Sequence, residues 1–207
     1  MNGITKFNFS FDYFERDLKY ILNAIHECYL KILTEIESVN PIENDIRDVF
    51  ISEKYFNNPN IREELGVKEY LFDKEIQTIK GRADIRILNM IESISGNLKP
   101  YYFIECKVLD ASKPTSSKSN LYTKYKIEGI NRFLDKKYET PKEANGMIGF
   151  FIKKTNIKKQ CEFFEEFTFC DYIVGCENFY ISEHSIDELD SIKLYHLMLD
   201  FSSKIRD

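Results

Sequence analysis

Asp84 and the run Glu105-Cys106-Lys107 are the residues whose types and spacing could carry out chemistry. They stand in two stretches, Gly81-Arg82-Ala83-Asp84-Ile85-Arg86-Ile87-Leu88 and Tyr101-Tyr102-Phe103-Ile104-Glu105-Cys106-Lys107-Val108. Both alternate apolar and polar residues, the pattern of half-buried strands. On such a strand Ile104, Cys106 and Val108 would face the core, and Glu105 and Lys107 would share the other face. If the two strands pair, Asp84 comes near that face. Two carboxylates and a lysine at one spot suit metal-assisted phosphodiester cleavage: hard oxygen donors hold magnesium, and a cation stands beside the phosphate. The rival reading is a hairpin surface, with Asp84 paired to Arg82 or Arg86 and Glu105 to Lys107. Such pairs are common and contribute little.

The elements that must position these residues follow from periodicity. Ser10 to Ser38 reads as a long amphipathic helix, with Phe14, Leu18, Ile21, Leu22, Ile25, Cys28, Ile32 and Ile36 on its apolar stripe. Its stripe is too long to leave in water, so the helix should cover the sheet or form a subunit contact. Asn40-Pro41-Ile42-Glu43 opens a second helix running to about Phe56, with Asn40 as N-cap and Glu43 completing a capping box. Three strands follow, Tyr70 to Thr78, Arg82 to Asn89 and Tyr101 to Leu109, with a polar loop over Ser93 to Pro100. Their short connections predict an antiparallel meander. Asp110 to Asn120, rich in serine, threonine and lysine, predicts a mobile loop. Leu121 to Leu134 reads as a helix whose Gly129 implies close packing. Gly146 to Ile152 predicts a buried strand, parallel to its predecessor because it is reached through a helix. Lys158 to Phe167 predicts a helix and Asn178 to Ser182 a strand. Ile192 to Phe201 fits either state.

Acid on one strand, then E-x-K on the next, within an α-β-β-β-α-β order, resembles the PD-(D/E)XK nuclease superfamily. Ala83 stands where a proline often precedes the first acid. The resemblance covers roughly Pro41 to Phe151. It implies an α/β restriction-endonuclease-like αβββαβ core, a central mixed sheet flanked by helices, with an added long N-terminal helix. A single domain is then expected: 1–39 as the helical extension, 40–152 as the nuclease core and 153–207 completing the sheet. It also implies a magnesium-dependent endonuclease acting on DNA, with manganese as a substitute; by analogy at the family level alone, defence against foreign DNA is a role it could serve. Asp84 and Glu105 would bind the metal, with the Cys106 carbonyl as a further ligand, and Lys107 would stabilise developing charge.

Many families of this fold place an acid on the first core helix. Glu43 matches that position, although the capping box explains it equally. Arg47, one turn later, would touch phosphate or pair with Glu43. Lys113, Lys118, Lys124 and Lys126, interleaved with Tyr122 and Tyr125, form a candidate nucleic-acid patch. A solvated helix face is the alternative. Glu75 and Gln77 lie on the strand before Asp84, where either could reach the groups around the metal, with a solvated face as the expectation.

Composition narrows the alternatives. The chain has 207 residues and a net charge of −5, so contact with a polyanion needs a local basic patch rather than bulk charge. Five cysteines without C-x-x-C spacing read as reduced thiols, and no leader pattern opens the chain; both fit a cytoplasmic location. His196 on an apolar run reads as a core histidine, and no cysteine–histidine cluster has zinc spacing. No glycine-rich nucleotide loop or G-x-S-x-G elbow occurs. Left open are DNA against RNA or branched DNA as substrate, a homodimer or a partner protein supplying specificity, and a non-catalytic interaction protein that keeps the fold.

Overall fold

A computed structural model describes residues 9–78, 81–94, 102–138, 144–173, 175–186 and 191–206. Three helices lead: α1 (Phe9–Glu35), α2 (Glu43–Phe50) and α3 (Pro59–Glu64). Strands β1 (Tyr70–Thr78) and β2 (Gly81–Asn89), the short α4 (Met90–Ile94) and β3 (Tyr102–Leu109) follow. A helical segment then runs through α5 (Leu121–Lys124), a π-helical stretch (Tyr125–Ile130) and α6 (Asn131–Leu134). It leads to β4 (Ala144–Phe151), α7 (Ile157–Cys161), β5 (Thr168–Phe169), β6 (Phe179–Ser185) and β7 (Ser191–Asp200).

The seven strands form one mixed sheet in the order β1-β2-β3-β4-β7-β6-β5. β1, β2 and β3 are the expected antiparallel meander. β4 is parallel to β3, with Glu105 opposite Met147 and Lys107 opposite Gly149. β7 is parallel to β4, so Ile192 to Phe201, which fitted either state, is strand up to Asp200.

Each face of the sheet carries a core. Leu18, Ile21, Leu22, Ile25, Cys28 and Ile32 of α1 pack with Ile104, Cys106, Ile148 and Leu197 on one side. The long helix therefore covers the sheet with its apolar stripe. On the other side Tyr122, Tyr125, Ile130 and Phe133 of the helical segment pack with Phe103, Leu109, Met147 and Phe164. Each large apolar side chain so buried contributes roughly 1.5–3 kcal/mol.

This double covering corrects the half-buried reading of β3, in which only Lys107's successor Val108 reaches intermediate exposure. The meander alone would leave one face in water. The parallel partner β4 is reached through a helical crossover, and that crossover lies on the second face.

Several boundaries also move. α2 ends at Phe50, and the chain then turns, with Tyr55 donating to Ser52 and Phe56 to Phe50 along the backbone. The helix expected over Lys158 to Phe167 is only α7, capped by Asn156. Met90 to Ile94 is helical where the polar loop was expected to begin, and the remainder of that loop lies outside the described residues. The loop after β3 is tied down at several points: Asn120 Nδ2 donates to the Lys113 carbonyl and Thr123 Oγ1 to the Thr115 carbonyl. None of the described helices is long and apolar enough to cross a membrane.

Candidate active site

Lys107 gathers the site. Its Nζ lies 2.8 Å from Glu105 Oε1, 3.0 Å from Glu43 Oε1 and 2.6 Å from the Cys106 carbonyl, all within hydrogen-bonding reach. Asp84 Oδ2 stands 3.6 Å away. The two central carboxylates are buried, Glu105 at 0% exposure and Asp84 at 5%, and so is Lys107 at 5%. Asp84 and Glu105 of the acid and E-x-K pattern, and Glu43, singled out apart from it, thus meet at the Lys107 ammonium.

The strands explain how. β2 pairs with β3 over Ile87–Tyr102, Arg86–Phe103 and Ile85–Ile104, and the ladder stops at Asp84. From there the Asp84 carboxylate takes over, its Oδ2 accepting a hydrogen bond from the Cys106 N–H at 2.8 Å. Opposite Asp84 on the other flank, Glu75 of β1 adopts φ +54°, in the left-handed region. A residue other than glycine held there costs about 1–3 kcal/mol, and such positions cluster at functional sites. Glu75 is not simply solvated: its Oε1 lies 3.2 Å from Arg47 Nη2 and 3.4 Å from Arg82 Nη1.

Glu43 opens α2, but Asn40 does not cap that helix. Ile42 is the cap residue and makes no side-chain cap bond. Asn40 Nδ2 instead donates to Asp45 Oδ2 at 2.6 Å. The capping box fails because the helix begins three residues after Asn40, which leaves the Asn40 side chain out of reach of the first-turn amides. Glu43 is thereby released to point at Lys107.

Arg47 departs from both expectations for it. It is 1% exposed, and its guanidinium meets Asp48 at 2.6 Å, Asn44 at 3.1 Å and Asp84 Oδ1 at 3.6 Å. It braces Asp84 from behind rather than facing solvent or Glu43. The nucleic-acid patch dissolves in part. Tyr122 and Tyr125 are buried, the first bonding Gln160 Oε1 at 2.5 Å and the second His196 Nδ1 at 2.9 Å. A phenol can sit in a core when its hydroxyl finds such a partner. Lys113 and Lys118 are exposed. Lys126 is paired with Glu166 at 2.5 Å, and Lys124 faces the cleft.

That cleft, about 460 Å³, is lined by Glu43, Asn44, Arg82, Lys107, Val108, Leu121 and Lys124 among others. Asp84 and Glu105 do not line it and lie behind the lysine. Arg132 and Tyr138 escaped the sequence reading, yet both bind Glu105. Arg132 Nη1 lies 2.5 Å from Oε1, and the Tyr138 hydroxyl donates to Oε2. For Arg132 a signal existed, since it stands three residues after Gly129 on the same helical face. Nothing in the linear sequence marks Tyr138.

Burial and charge set the protonation of the cluster. Burial pushes Glu105 up to about 7 from an ordinary 4.5, with Asp84 adding to the rise and Lys107 opposing it. Burial likewise raises Glu43. For Lys107 burial favours loss of the proton, but Glu105, Asp84 and Glu43 together outweigh it and hold the ammonium charged.

The donor set suits a hard cation: three carboxylates and a carbonyl already converge on one positive centre, the ammonium. Among the described residues no three carboxylate, thiol or imidazole side chains stand ready as a metal cage. Lys107 Nζ occupies the point on which the carboxylates converge. Searches against protein-family models, curated proteins and solved structures return no match for this chain.

Proposed function

We propose that this chain is a magnesium-dependent endonuclease that hydrolyses DNA phosphodiester bonds. On this reading α2, the β1–β3 meander, the crossover helix and β4 form the αβββαβ core of the PD-(D/E)XK superfamily, with α1 added. The observation that carries the reading is the convergence of Glu43, Asp84, Glu105 and the Cys106 carbonyl on Lys107, beside a strained residue of β1 and under an open cleft.

Asp84, Glu105 and the Cys106 carbonyl would hold the metal, with Glu43 beside them. When bound, magnesium or manganese would neutralise the scissile phosphate and lower the pKa of a ligated water. The chain's own contribution is orientation and charge. Arg47 and the Cys106 amide fix the two oxygens of Asp84. Lys107, held charged, serves as an electrostatic partner for the phosphate rather than as a base. Lys124 and Arg82 at the rim give the cleft the local cations that the overall negative charge denies it.

The second reading is a non-catalytic interaction protein of the same fold. What favours it is that each of the three carboxylates already has a protein cation or donor. A cleavage assay with magnesium across plasmid, linear duplex, single-stranded DNA and RNA decides between them. Metal-dependent cleavage of DNA is expected. Cleavage of RNA alone moves the substrate, and no cleavage of any of the four favours the interaction protein.

A further inference from the structure

Both oxygens of Glu105 are engaged, and not by the catalytic lysine alone. Oε1 accepts from Lys107 and from Arg132 Nη1, and Oε2 from Tyr138. The two extra donors come from the crossover: Arg132 from α6 and Tyr138 from the turn that follows it. They differ in surroundings. Tyr138 is buried at 7% exposure, its ring about 5.0 Å from those of both Phe103 and Phe133. Arg132 keeps 30% of its side chain in solvent while its Nη1 reaches a carboxylate with none. Its contacts among the described residues all leave from that one nitrogen, to Glu105, to the Arg82 carbonyl and to the Tyr138 hydroxyl. The remaining guanidinium donors are therefore available to a second acceptor. A half-buried cation over a fully buried carboxylate can move aside without opening the core.

We propose that Arg132 and Tyr138 form a latch on Glu105, competing with a divalent cation for its oxygens, and that the Arg132 guanidinium swings out when cation enters. This rests on the metal-dependent reading of the site. The physical ground is occupancy: Oε1 already accepts two bonds, from Lys107 at 2.8 Å and from Arg132 at 2.5 Å, which fill its two lone-pair directions, so a metal ligates that oxygen only by displacing one of them. Charge acts in the same direction, because a guanidinium beside Glu105 repels a second cation. The latch would keep the site closed in free protein. The released guanidinium would then face the rim beside Arg82, where a phosphate of a polyanion could accept from it.

Calorimetric titration with manganese alone, in mildly alkaline buffer, tests this on four proteins: the unaltered chain, Arg132→Met, Arg132→Lys and Tyr138→Phe. Arg132→Met should bind manganese about tenfold more tightly, the ratio expected when one charge-assisted bond no longer competes. Tyr138→Phe, which keeps the ring packing, should tighten binding by a smaller factor. Arg132→Lys restores a cation and should return affinity toward that of the unaltered chain. If Arg132→Met binds manganese equally or more weakly while the unaltered chain binds it, Arg132 merely braces Glu105 and the latch is wrong, with the nuclease reading untouched. If none of the four binds manganese, the metal-dependent reading falls and the latch with it. Should Arg132→Met fail to fold, Tyr138→Phe decides: tighter binding than in the unaltered chain supports the latch, and equal or weaker binding overturns it.

Discussion

Asp84 Oδ2 accepts the Cys106 N–H at 2.8 Å, so a side chain stands where a neighbouring strand would have offered a carbonyl. The bond ends the β2–β3 ladder and opens the sheet at the point where Glu105 and Lys107 emerge. It also ties the candidate metal ligand to the backbone of the E-x-K run itself. Replacing Asp84 tests both roles at once. Asp84→Ala leaves a buried amide without its acceptor, which costs about 1–3 kcal/mol, and removes a metal ligand. Asp84→Asn keeps an oxygen for the amide but loses the charge. Thermal melts should show the alanine variant clearly destabilised and the asparagine variant much less so, while both lose cleavage. Equal melting of the two variants would mean that the Cys106 amide does not depend on Asp84.

The raised proton affinity of Glu105 predicts how stability depends on pH. Its folded value of about 7 lies above the ordinary 4.5. Between those limits the folded chain keeps a proton that the unfolded chain has released. This group's contribution to stability is therefore complete below pH 4.5 and is lost as pH rises toward about 7. A Glu105→Gln variant lacks the effect. Melting temperatures measured across that window should show the unaltered chain losing ground to the variant as pH rises, with parallel curves beyond it. Parallel curves across the window itself would mean that Lys107 and Arg132 hold Glu105 ionised throughout.

Legibility in the sequence followed the range of the interactions. Apart from the short α4, the order of elements from α1 to β4 could be read because periodicity is local, and Glu105 and Lys107 fell on one face because strand alternation is local too. The depth of the site could not be read. Whether Lys107 sits in water or under a helix depends on where the crossover packs, and Gly129 was the only hint of that. Tyr122 and Tyr125 misled for the same reason. A phenol beside lysines looks like a rim residue until Gln160 and His196, distant in sequence, turn out to meet it. Arg47 was placed on the right helix, but its partners, Asp84 and Glu75, come from the sheet.

Gly129 marks the point where the crossover helix comes down on the site. A Cβ added there would stand 2.5 Å from Met147 Cε and 3.6 Å from Lys107 Cγ. The nearer atom is the end of a flexible side chain, though a buried one, so the helix or the methionine must shift. Gly129→Ala should therefore cost stability modestly and cleavage more, because the helix that packs over Lys107 shifts and the lysine with it. Met147→Leu removes the clashing Cε. The double variant should recover stability beyond the sum of the single changes, as contacting sites do. Additive losses in a double-mutant cycle would show that the two residues do not meet as described.

Lys107 itself gives the sharpest separation of charge from packing. On a half-buried strand, truncating it to alanine would open no cavity. The buried position revises that, since its chain runs beneath Gly129 and only 5% of the residue is exposed. Alanine would leave a void beside Met147, and any loss of cleavage could then be blamed on a disturbed fold. Methionine is the better probe because it fills most of the same space without the ammonium. It removes the cation on which Glu43, Glu105 and the Cys106 carbonyl converge. Glu43 then loses its cation and Glu105 keeps only Arg132 and Tyr138, so the carboxylates repel one another more strongly, and Lys107→Met should melt at a lower temperature and recover on adding manganese, which replaces the lost positive charge. Manganese should also bind it more tightly than it binds the unaltered chain. Cleavage should nonetheless fall by a factor on the order of 10²–10³, the usual loss when a preorganised group facing developing charge is taken away. Tight metal binding with little cleavage is the signature that separates a charge-stabilising lysine from one that merely fills the site. A Lys107→Met variant that cuts at the rate of the unaltered chain would exclude the lysine from the mechanism and leave the convergence at its ammonium a matter of folding alone.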